Sequence, residues 1–384
     1  MGIASQDEKV RIGSSVLARP DQAAKEIAET LGGPGTGFVF FFSSPKYDLE
    51  ALAGGLRESF GDTPVVGCTT AGEIGPEGYT QGGIVAVRLP SSDFHVTSGV
   101  VEGLDSLSTE DYLHLSNGLR AEMAQLAGKF EPKHCFASLL IDGLSLREEF
   151  VASALAQSLE SVPLFGGSAG DDLRFESTLV YSDGRFRSNA AVVTLVQTER
   201  PFTVFKSQHF VRTEQRLVVT AADVGRRTVY ELDGESAAPV YADAVGVRVE
   251  DLTPEIFATH PVLVRVGGAY YVRAIQRAND DGSLVFYCAI DEGIVLALGQ
   301  GVDAIESAQQ LFGELRSELG DLDLVLGCDC ILRRLEFERK ALTSQFADIF
   351  RANHLVGFST YGEQIHGMHV NQTLTGVAVG GGAR

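Results

Sequence analysis

Residues 65–75 read VVGCTTAGEIG, and residues 355–365 read LVGFSTYGEQI. The longer stretches 65–89 and 355–379 align without a gap, with six identical positions where chance gives about one or two. In each copy an apolar run of strand length enters a Gly-Glu loop, and a second apolar run follows. The pattern predicts an internal strand-loop-strand repeat shared by two structurally related halves of the chain.

The residues around the first copy predict an α/β fold. The run GFVFFFSS at 37–44 is apolar throughout, which is typical of a strand buried on both faces. Apolar residues then recur at helical spacing over 49–60, so strand, helix and strand form a βαβ unit. Helices are also predicted over 20–31 and 333–351. We expect mixed sheets flanked by helices.

A third glycine-rich stretch, FGGSAGDD at 165–172, follows another predicted helix, and Asp183-Gly184 then predicts a hairpin. In α/β sheets, ligands bind beyond the carboxyl ends of strands, where glycine lets backbone amides approach them. None of the loops 67–75, 166–171 and 357–363 matches a phosphate-binding or dinucleotide pattern. The loops predict a ligand pocket, whose candidate residues are Gly67, Gly72, Glu73, Gly167, Gly362 and Glu363. Alternatively, each glutamate hydrogen-bonds backbone N–H groups of its own loop.

Composition limits the classes of function. The chain has 384 residues and a net charge of −20, which disfavours nucleic acid as a partner. The small basic pairs Arg226-Arg227 and Arg333-Arg334 are interpreted as solvated edges. No run of 18 apolar residues and no signal peptide are evident, so we expect a cytoplasmic protein without a membrane span.

Five cysteines give no disulfide framework. Cys68 follows a strand in a glycine-flanked turn, as a nucleophile would, but Phe358 and Gly167 occupy the comparable places in the other loops. That variety favours a packing role. Cys328 and Cys330 lack further ligands for zinc nearby in sequence, so buried strand cysteines are expected.

Several spaced motifs resemble a known family. GCTTAGEI, GGIVAV and FGGSAGDD resemble the N-terminal FIST domain, and the region from VVTAADVGRR through GCDCILRR to GFSTYGEQ resembles the C-terminal FIST domain. The resemblance implies domains at 10–220 and 221–380. FIST proteins are sensory domains that bind small ligands. A chain of two FIST parts alone is similar to bacterial nitric-oxide-sensing haem proteins.

This resemblance implies a non-covalent b-type haem and a partner in trans, either a histidine kinase or a diguanylate cyclase or phosphodiesterase. A homodimer is one arrangement consistent with it. Haem needs an axial ligand, usually histidine. His209, in FKSQHFVR, is predicted on a strand face with Phe205, Ser207 and Val211, and is the candidate metal ligand. His369 is the second candidate.

Three alternatives stay open. The chain could instead sense a small metabolite such as an amino acid at the glycine-rich loops, without haem. It could be an enzyme that uses Cys68, Glu73 or Asp171-Asp172, although no general base is paired with Cys68 in sequence. It could also be a pure interaction module. We expect a sensor and not an enzyme.

Overall fold

The computed structural model describes residues 9–35 and 37–381, which form an α/β protein with two compact units. Unit 1 comprises Met1–Lys206, Gln309–Met368 and Leu374–Arg384, and unit 2 comprises Ser207–Ala308 and His369–Thr373. Among the described residues, no helix is both long and apolar enough to cross a membrane. The predicted fold class of mixed sheets flanked by helices is confirmed.

Unit 1 is built from one strand-helix pattern that occurs three times. Repeat 1 contains β1 (Arg11–Ser15), α1 (Pro20–Leu31), β2 (Phe38–Ser43), α2 (Leu49–Phe60), β3 (Val65–Thr69), β4 (Glu73–Gly75), β5 (Gly78–Thr80) and β6 (Ile84–Leu89). Repeat 2 contains β7 (His95–Glu102), α3 (Thr109–Leu126), β8 (Cys135–Ile141), α4 (Glu148–Leu159), β9 (Leu164–Ser168), β10 (Val180–Ser182), β11 (Arg185–Arg187) and β12 (Ala190–Gln197). Strand β13 (Phe202–Ser207) begins repeat 3, and unit 2 is inserted after it.

Unit 2 contains an eight-stranded sheet and two helices. Its elements are β14 (Phe210–Asp223), β15 (Thr228–Leu232), β16 (Glu235–Ser236), α5 (Ala237–Val245), α6 (Pro254–Thr259), β17 (Val262–Val266), β18 (Ala269–Arg273), β19 (Ile275–Ala278), β20 (Leu284–Phe286) and β21 (Val295–Gly301). The strands follow the order β18-β17-β21-β14-β15-β20-β19, with β16 beside β15. Its core packs Tyr241 and Phe257 from the helices against strand residues such as Leu217 and Leu296.

Repeat 3 resumes after the insertion. It contains α7 (Ala304–Leu319), β22 (Leu322–Cys330), α8 (Ile331–Arg339), α9 (Thr343–Ala352), β23 (Leu355–Thr360), β24 (Glu363–Ile365), β25 (Met368–Val370) and β26 (Leu374–Gly380). Each repeat has the same strand pairing around one central strand, which is β2, β8 or β22. The central strand pairs in parallel with β3, β9 or β23, and antiparallel with the last strand of its repeat, β6, β12 or β26. The predicted strand-loop-strand repeat is therefore confirmed, and it has a third copy.

The repeats exchange their hairpins in a ring. Hairpin β4-β5 of repeat 1 pairs with β23 of repeat 3, and β10-β11 of repeat 2 pairs with β3 of repeat 1. Hairpin β24-β25 of repeat 3 completes the ring on β9 of repeat 2. Each hairpin thus pairs with a strand of another repeat, so that β3, β9 and β23 do not present free edges there.

Local chemistry explains these elements. The strands β2, β8 and β22 are buried almost throughout, as expected for continuous apolar runs that are packed on both faces. Helix α1 begins at Pro20, buries Ala24, Ile27 and Leu31, and ends at Gly32 with φ +95°. The hairpin predicted at Asp183-Gly184 is confirmed, with φ of +49° and +77° at the two turn residues.

One predicted helix is two. The segment predicted as a helix over 333–351 forms α8 and α9, with Ala341 between them at φ +54°. A left-handed residue cannot continue an α-helix, so the chain turns there. Phe337 of α8 then stacks on Phe346 of α9, with ring centroids 3.8 Å apart.

Candidate functional site

The three glycine-rich loops meet in unit 1. In each contact, a loop N–H of one repeat donates to the carbonyl at the strand end of another repeat. The pairs are Ala71 to Ser359 (2.9 Å), Gly170 to Thr69 (2.9 Å) and Tyr361 to Ser168 (3.3 Å). These bonds close a ring at the carboxyl ends of β3, β9 and β23. The structure therefore brings Gly67, Gly72, Glu73, Gly167, Gly362 and Glu363 into one buried assembly.

Gly167, Phe358 and Cys328 pack together inside this assembly. A Cβ at Gly167 would lie 2.7 Å from Cζ of Phe358 and 3.0 Å from Sγ of Cys328, so glycine makes room for both. The Phe358 ring stacks on Phe42 at 4.6 Å. Burial raises the pKa of the Cys68 thiol well above its ordinary value, which disfavours a thiolate. The geometry agrees with the packing interpretation of Cys68.

Glu73 is a fully buried carboxyl. Its Oε1 accepts a hydrogen bond from the Thr70 hydroxyl (2.7 Å), and its Oε2 accepts one from the Gly83 N–H (3.2 Å). Burial raises its pKa to about 7, with the Asp172 charge adding to the effect, against those two hydrogen bonds and Arg334. Glu73 thus bonds to a hydroxyl of its own loop and to a backbone N–H at Gly83, which lies outside that loop, whereas the structural alternative expected backbone N–H groups of the loop itself. Glu363 occupies the equivalent position of repeat 3 and is also fully buried.

Asp171 anchors the loop of repeat 2. Its buried carboxylate accepts hydrogen bonds from the Tyr361 hydroxyl and from the N–H groups of Phe175 (2.9 Å), Glu176 (2.7 Å) and Ser177 (2.9 Å). Burial raises the pKa of this carboxyl, but these hydrogen bonds outweigh burial and the pKa lies below its ordinary value. The carboxylate is therefore ionised and committed to holding the loop.

The basic pair Arg333-Arg334 was expected at a solvated edge, and that expectation is wrong. Arg333 is 2% exposed and its Nε donates to Oδ1 of Asp329 at 2.7 Å, while the Tyr79 hydroxyl donates to the other Asp329 oxygen. Arg334 is 5% exposed and its Nε donates to Glu338 at 2.8 Å. The spacing of four residues between Asp329 and Arg333 was the one sign in the sequence of this ion pair. In a helix that spacing predicts contact, but Asp329 lies in strand β22, where the rule does not apply.

The expectation for Arg226-Arg227 is wrong for its second member. Arg227 is 7% exposed, and its Nη1 donates to the Tyr287 carbonyl at 2.8 Å within unit 2. Arg226 is exposed beside Asp223. Arginine can be buried where its planar guanidinium finds carbonyl acceptors, which a sequence does not display.

His209 lies in unit 2, but not on a strand. Gln208 and His209 separate β13 from β14, so the predicted alternation of Phe205, Ser207, His209 and Val211 fails. The alternation restarts after the break because pairing with β21 begins at Phe210. His209 is 1% exposed, whereas Val211 is 48% exposed. The ring centroid of His209 lies 4.4 Å from that of Phe210.

His369, the second candidate, also belongs to unit 2. It is 1% exposed, and its backbone carbonyl accepts a hydrogen bond from Nη1 of Arg273 at 2.9 Å. Over residues 9–35 and 37–381, no group of three or more His, Cys, Asp and Glu side chains is arranged to hold a metal ion. All five cysteines are buried thiols.

Two consecutive segments match a protein family. Residues 37–235 match the FIST N domain, and residues 237–366 match the FIST C domain. This chain belongs to the FIST family. FIST domains are sensory domains of signalling proteins and bind small ligands. The predicted boundary at 220 stays a prediction, since the matched segments meet near residue 236 and strand β14 runs through residue 220.

Other comparisons add little to the family assignment. No curated protein matches this FIST protein. A crystal structure of cyanuric acid hydrolase from A. caulinodans covers 97% of this chain and 99% of its own, at 10% identity and a TM-score of 0.34. A likeness this weak supports no argument about activity.

Proposed function

We propose that this FIST protein is a cytoplasmic sensor that holds non-covalent b-type haem through His209 and responds to nitric oxide. The observation that supports the proposal is a fully buried imidazole beside an aromatic ring, His209 on Phe210. Histidine is the usual axial ligand of haem iron, and an apolar surrounding excludes competing water.

The donor chemistry at His209 fits haem. The backbone there is held, because the His209 carbonyl accepts a hydrogen bond from the Val302 N–H at 2.8 Å. Bound haem would supply an iron centre whose bond to the imidazole responds to a diatomic ligand. Because the imidazole is closed off from solvent in this structure, haem uptake requires its neighbours to move apart. Uptake would then be coupled to a change in unit 2, as a sensor needs.

An absorption spectrum of protein expressed with haem supplied tests this proposal. We expect a Soret band that shifts with nitric oxide in the wild type and is lost in His209→Ala. His95→Ala, which changes a half-exposed histidine of β7, is the matched control and should keep the band. A band that is lost only in His369→Ala moves the axial ligand to His369. Absence of any band in the wild type contradicts haem binding.

A cavity in unit 2 favours a second candidate function, the sensing of a small metabolite without haem. This cavity of about 390 Å³ is lined by Thr213, Thr259, His260 and Gln300, together with Gly299 and Gly301. Its volume suits a molecule of amino-acid size, and hydroxyl, imidazole and amide groups can orient one. A colourless protein whose melting temperature rises with free amino acids, but not after His260→Ala, would favour this candidate over haem.

We also propose that the protein acts in trans on a histidine kinase or a cyclic-di-GMP enzyme and is not itself an enzyme. The proposed partners rest on the family resemblance. The non-enzymatic role also agrees with the burial of the Cys68 thiol, whose raised pKa disfavours a nucleophilic thiolate. Autophosphorylation of a candidate kinase should change when the liganded protein is added, and not when His209→Ala is added. Turnover of a compound that Cys68→Ser abolishes would contradict the non-enzymatic role.

A further inference from the structure

A second cavity lies in unit 1, at the opposite end of β3 from the glycine-rich loops. It has a volume of about 280 Å³, is open to solvent, and is bordered by the last turns of α2, the chain that enters β3 and the turn of hairpin β10-β11. Pro64 and Val65 give it an apolar side above the buried Leu56 and Phe60, while Arg57, Asp183, Ser98 and Tyr181 contribute polar groups. Nothing in the haem proposal uses this cavity.

Tyr181 places an unused hydroxyl at this cavity. The residue is 2% exposed, and no described residue forms a hydrogen bond with its hydroxyl. Edge-on contacts with Phe41 and Phe186, both at 5.0 Å between ring centroids, fix the ring in the hydrophobic core. The oxygen itself is open to solvent at the cavity, so a ligand that enters can replace water as its hydrogen-bond partner. Burial raises the pKa of Tyr181 to about 12, so the hydroxyl keeps its proton and can donate.

Arg57 brings a positive charge to the same cavity. Its guanidinium donates to the Gly184 carbonyl and forms no ion pair with any residue in the described part of the chain. The other charges nearby are matched: Arg187 contacts Asp183 at 3.6 Å and Glu102 at 2.9 Å. In a chain of net charge −20, an arginine without a carboxylate is available to an external anion.

We propose that this cavity binds a small monocarboxylic acid with an apolar body, whose carboxylate accepts hydrogen bonds from Arg57 and Tyr181. The hydrocarbon part of the acid would lie on Pro64 and Val65, the apolar lining residues that are not buried. The volume lies at the small end of ligand pockets and suits a small acid better than a nucleotide. The proposal goes beyond the haem function and does not depend on it.

Calorimetric titration of the full chain with sodium benzoate tests this site. Benzoate should bind, and benzamide, which has the same shape without the charge, should bind at least about tenfold more weakly because it cannot form an ion pair. Arg57→Gln should weaken benzoate binding by about tenfold or more and Tyr181→Phe by about fivefold. Arg185→Gln, which changes an exposed arginine bound to Glu102 in the same hairpin, should leave affinity unchanged.

Loss of affinity in a variant has to be separated from loss of folding. Tyr181→Phe removes only a hydroxyl that has no hydrogen-bond partner among the described residues, so its melting temperature should match the wild type. Lost affinity then reports on the ligand. The proposal is overturned if benzoate and hexanoate both fail to bind, if both variants bind them as the wild type does, or if inorganic sulfate competes as well as benzoate. Haem-free and haem-loaded protein should give the same benzoate affinity, so failure of the haem proposal leaves this test intact.

Discussion

The hydroxyl of Tyr361 donates a hydrogen bond to the carboxylate of Asp171, although 190 residues separate them in the chain. The same hydroxyl accepts a hydrogen bond from the Leu173 N–H at 2.9 Å. One phenol of repeat 3 thus holds the loop of repeat 2 in place. This pair shows how the ring of loops is fixed by side chains as well as by backbone.

Tyr361→Phe should lower the free energy of unfolding by about 1–3 kcal/mol, because it leaves the Leu173 N–H and one Asp171 oxygen without this partner. Urea denaturation measures the change. Tyr112→Phe is the matched control, since the Tyr112 hydroxyl is buried without a hydrogen-bond partner among the described residues. That variant should be neutral or slightly stabilised. Equal destabilisation by both substitutions would contradict the role of Tyr361.

Asp171→Asn should destabilise the protein by about 1–3 kcal/mol at neutral pH, since a neutral amide replaces a carboxylate that accepts three N–H groups. The pKa of Asp171 is lowered in the folded state, so its contribution is full above the ordinary value of 3.8 and is lost as pH falls through the folded value. The difference from wild type should therefore shrink under acid conditions. Unfolding curves from pH 7 down to pH 3 test this, and a pH-independent difference would contradict it.

Glu73 should make the wild type less stable as pH rises. Its pKa is raised from the ordinary 4.5 to about 7, so between these values the native state binds more protons than the unfolded state. Stability therefore falls as pH rises through this window. Glu73→Gln removes that dependence, and its stability relative to wild type should improve by on the order of 2–3 kcal/mol from pH 4.5 to pH 7.5.

Thr70→Ala is the control for Glu73, because the Thr70 hydroxyl stabilises the ionised carboxylate. It should steepen the pH dependence in the wild type and leave it unchanged in the Glu73→Gln background. Parallel stability profiles of wild type and Glu73→Gln would show that Glu73 does not titrate in this range.

Gly167→Ala should destabilise the protein by about 1–3 kcal/mol, because the new methyl group overlaps the Phe358 ring and Cys328. Phe358→Leu in the same chain should recover part of the loss, which a double-mutant cycle in urea measures. Gly118→Ala, on the exposed face of α3 with no heavy atom within 4 Å of the added Cβ, should instead gain about 0.5–1 kcal/mol. A small effect at Gly167 would mean that the central packing is loose.

Native protein should react slowly with a thiol reagent such as dithionitrobenzoate, and all five thiols should react after unfolding in urea. Every cysteine is at most 2% exposed, and burial raises the pKa of Cys68 and Cys328, so little thiolate is accessible. The release of nitrothiobenzoate measures both rates. A single fast thiol that disappears in Cys68→Ser would restore Cys68 as a candidate nucleophile.

Residues 65–75 and 355–365 were sufficient to predict the repeated strand-loop-strand unit, because strand burial and glycine turns are local properties. The third copy was harder to see. Eight residues, 172–179, separate its loop from the hairpin, and Val180 stands where the other copies have glutamate. This copy therefore cannot be aligned with the other two without a gap. Its equivalence appears only in the pairing of β10 with β3.

The sequence alone determined the α/β class, the turn at Asp183-Gly184, the burial of β2 and the family motifs. The tertiary structure alone decided which repeat receives each hairpin, the burial of Arg333, the break at His209 and the position of Tyr181 at a cavity. The first set depends on neighbours a few residues apart, which periodicity reports. The second depends on partners far away in the chain, and hydrogen bonding and desolvation act through space without leaving a period in the sequence.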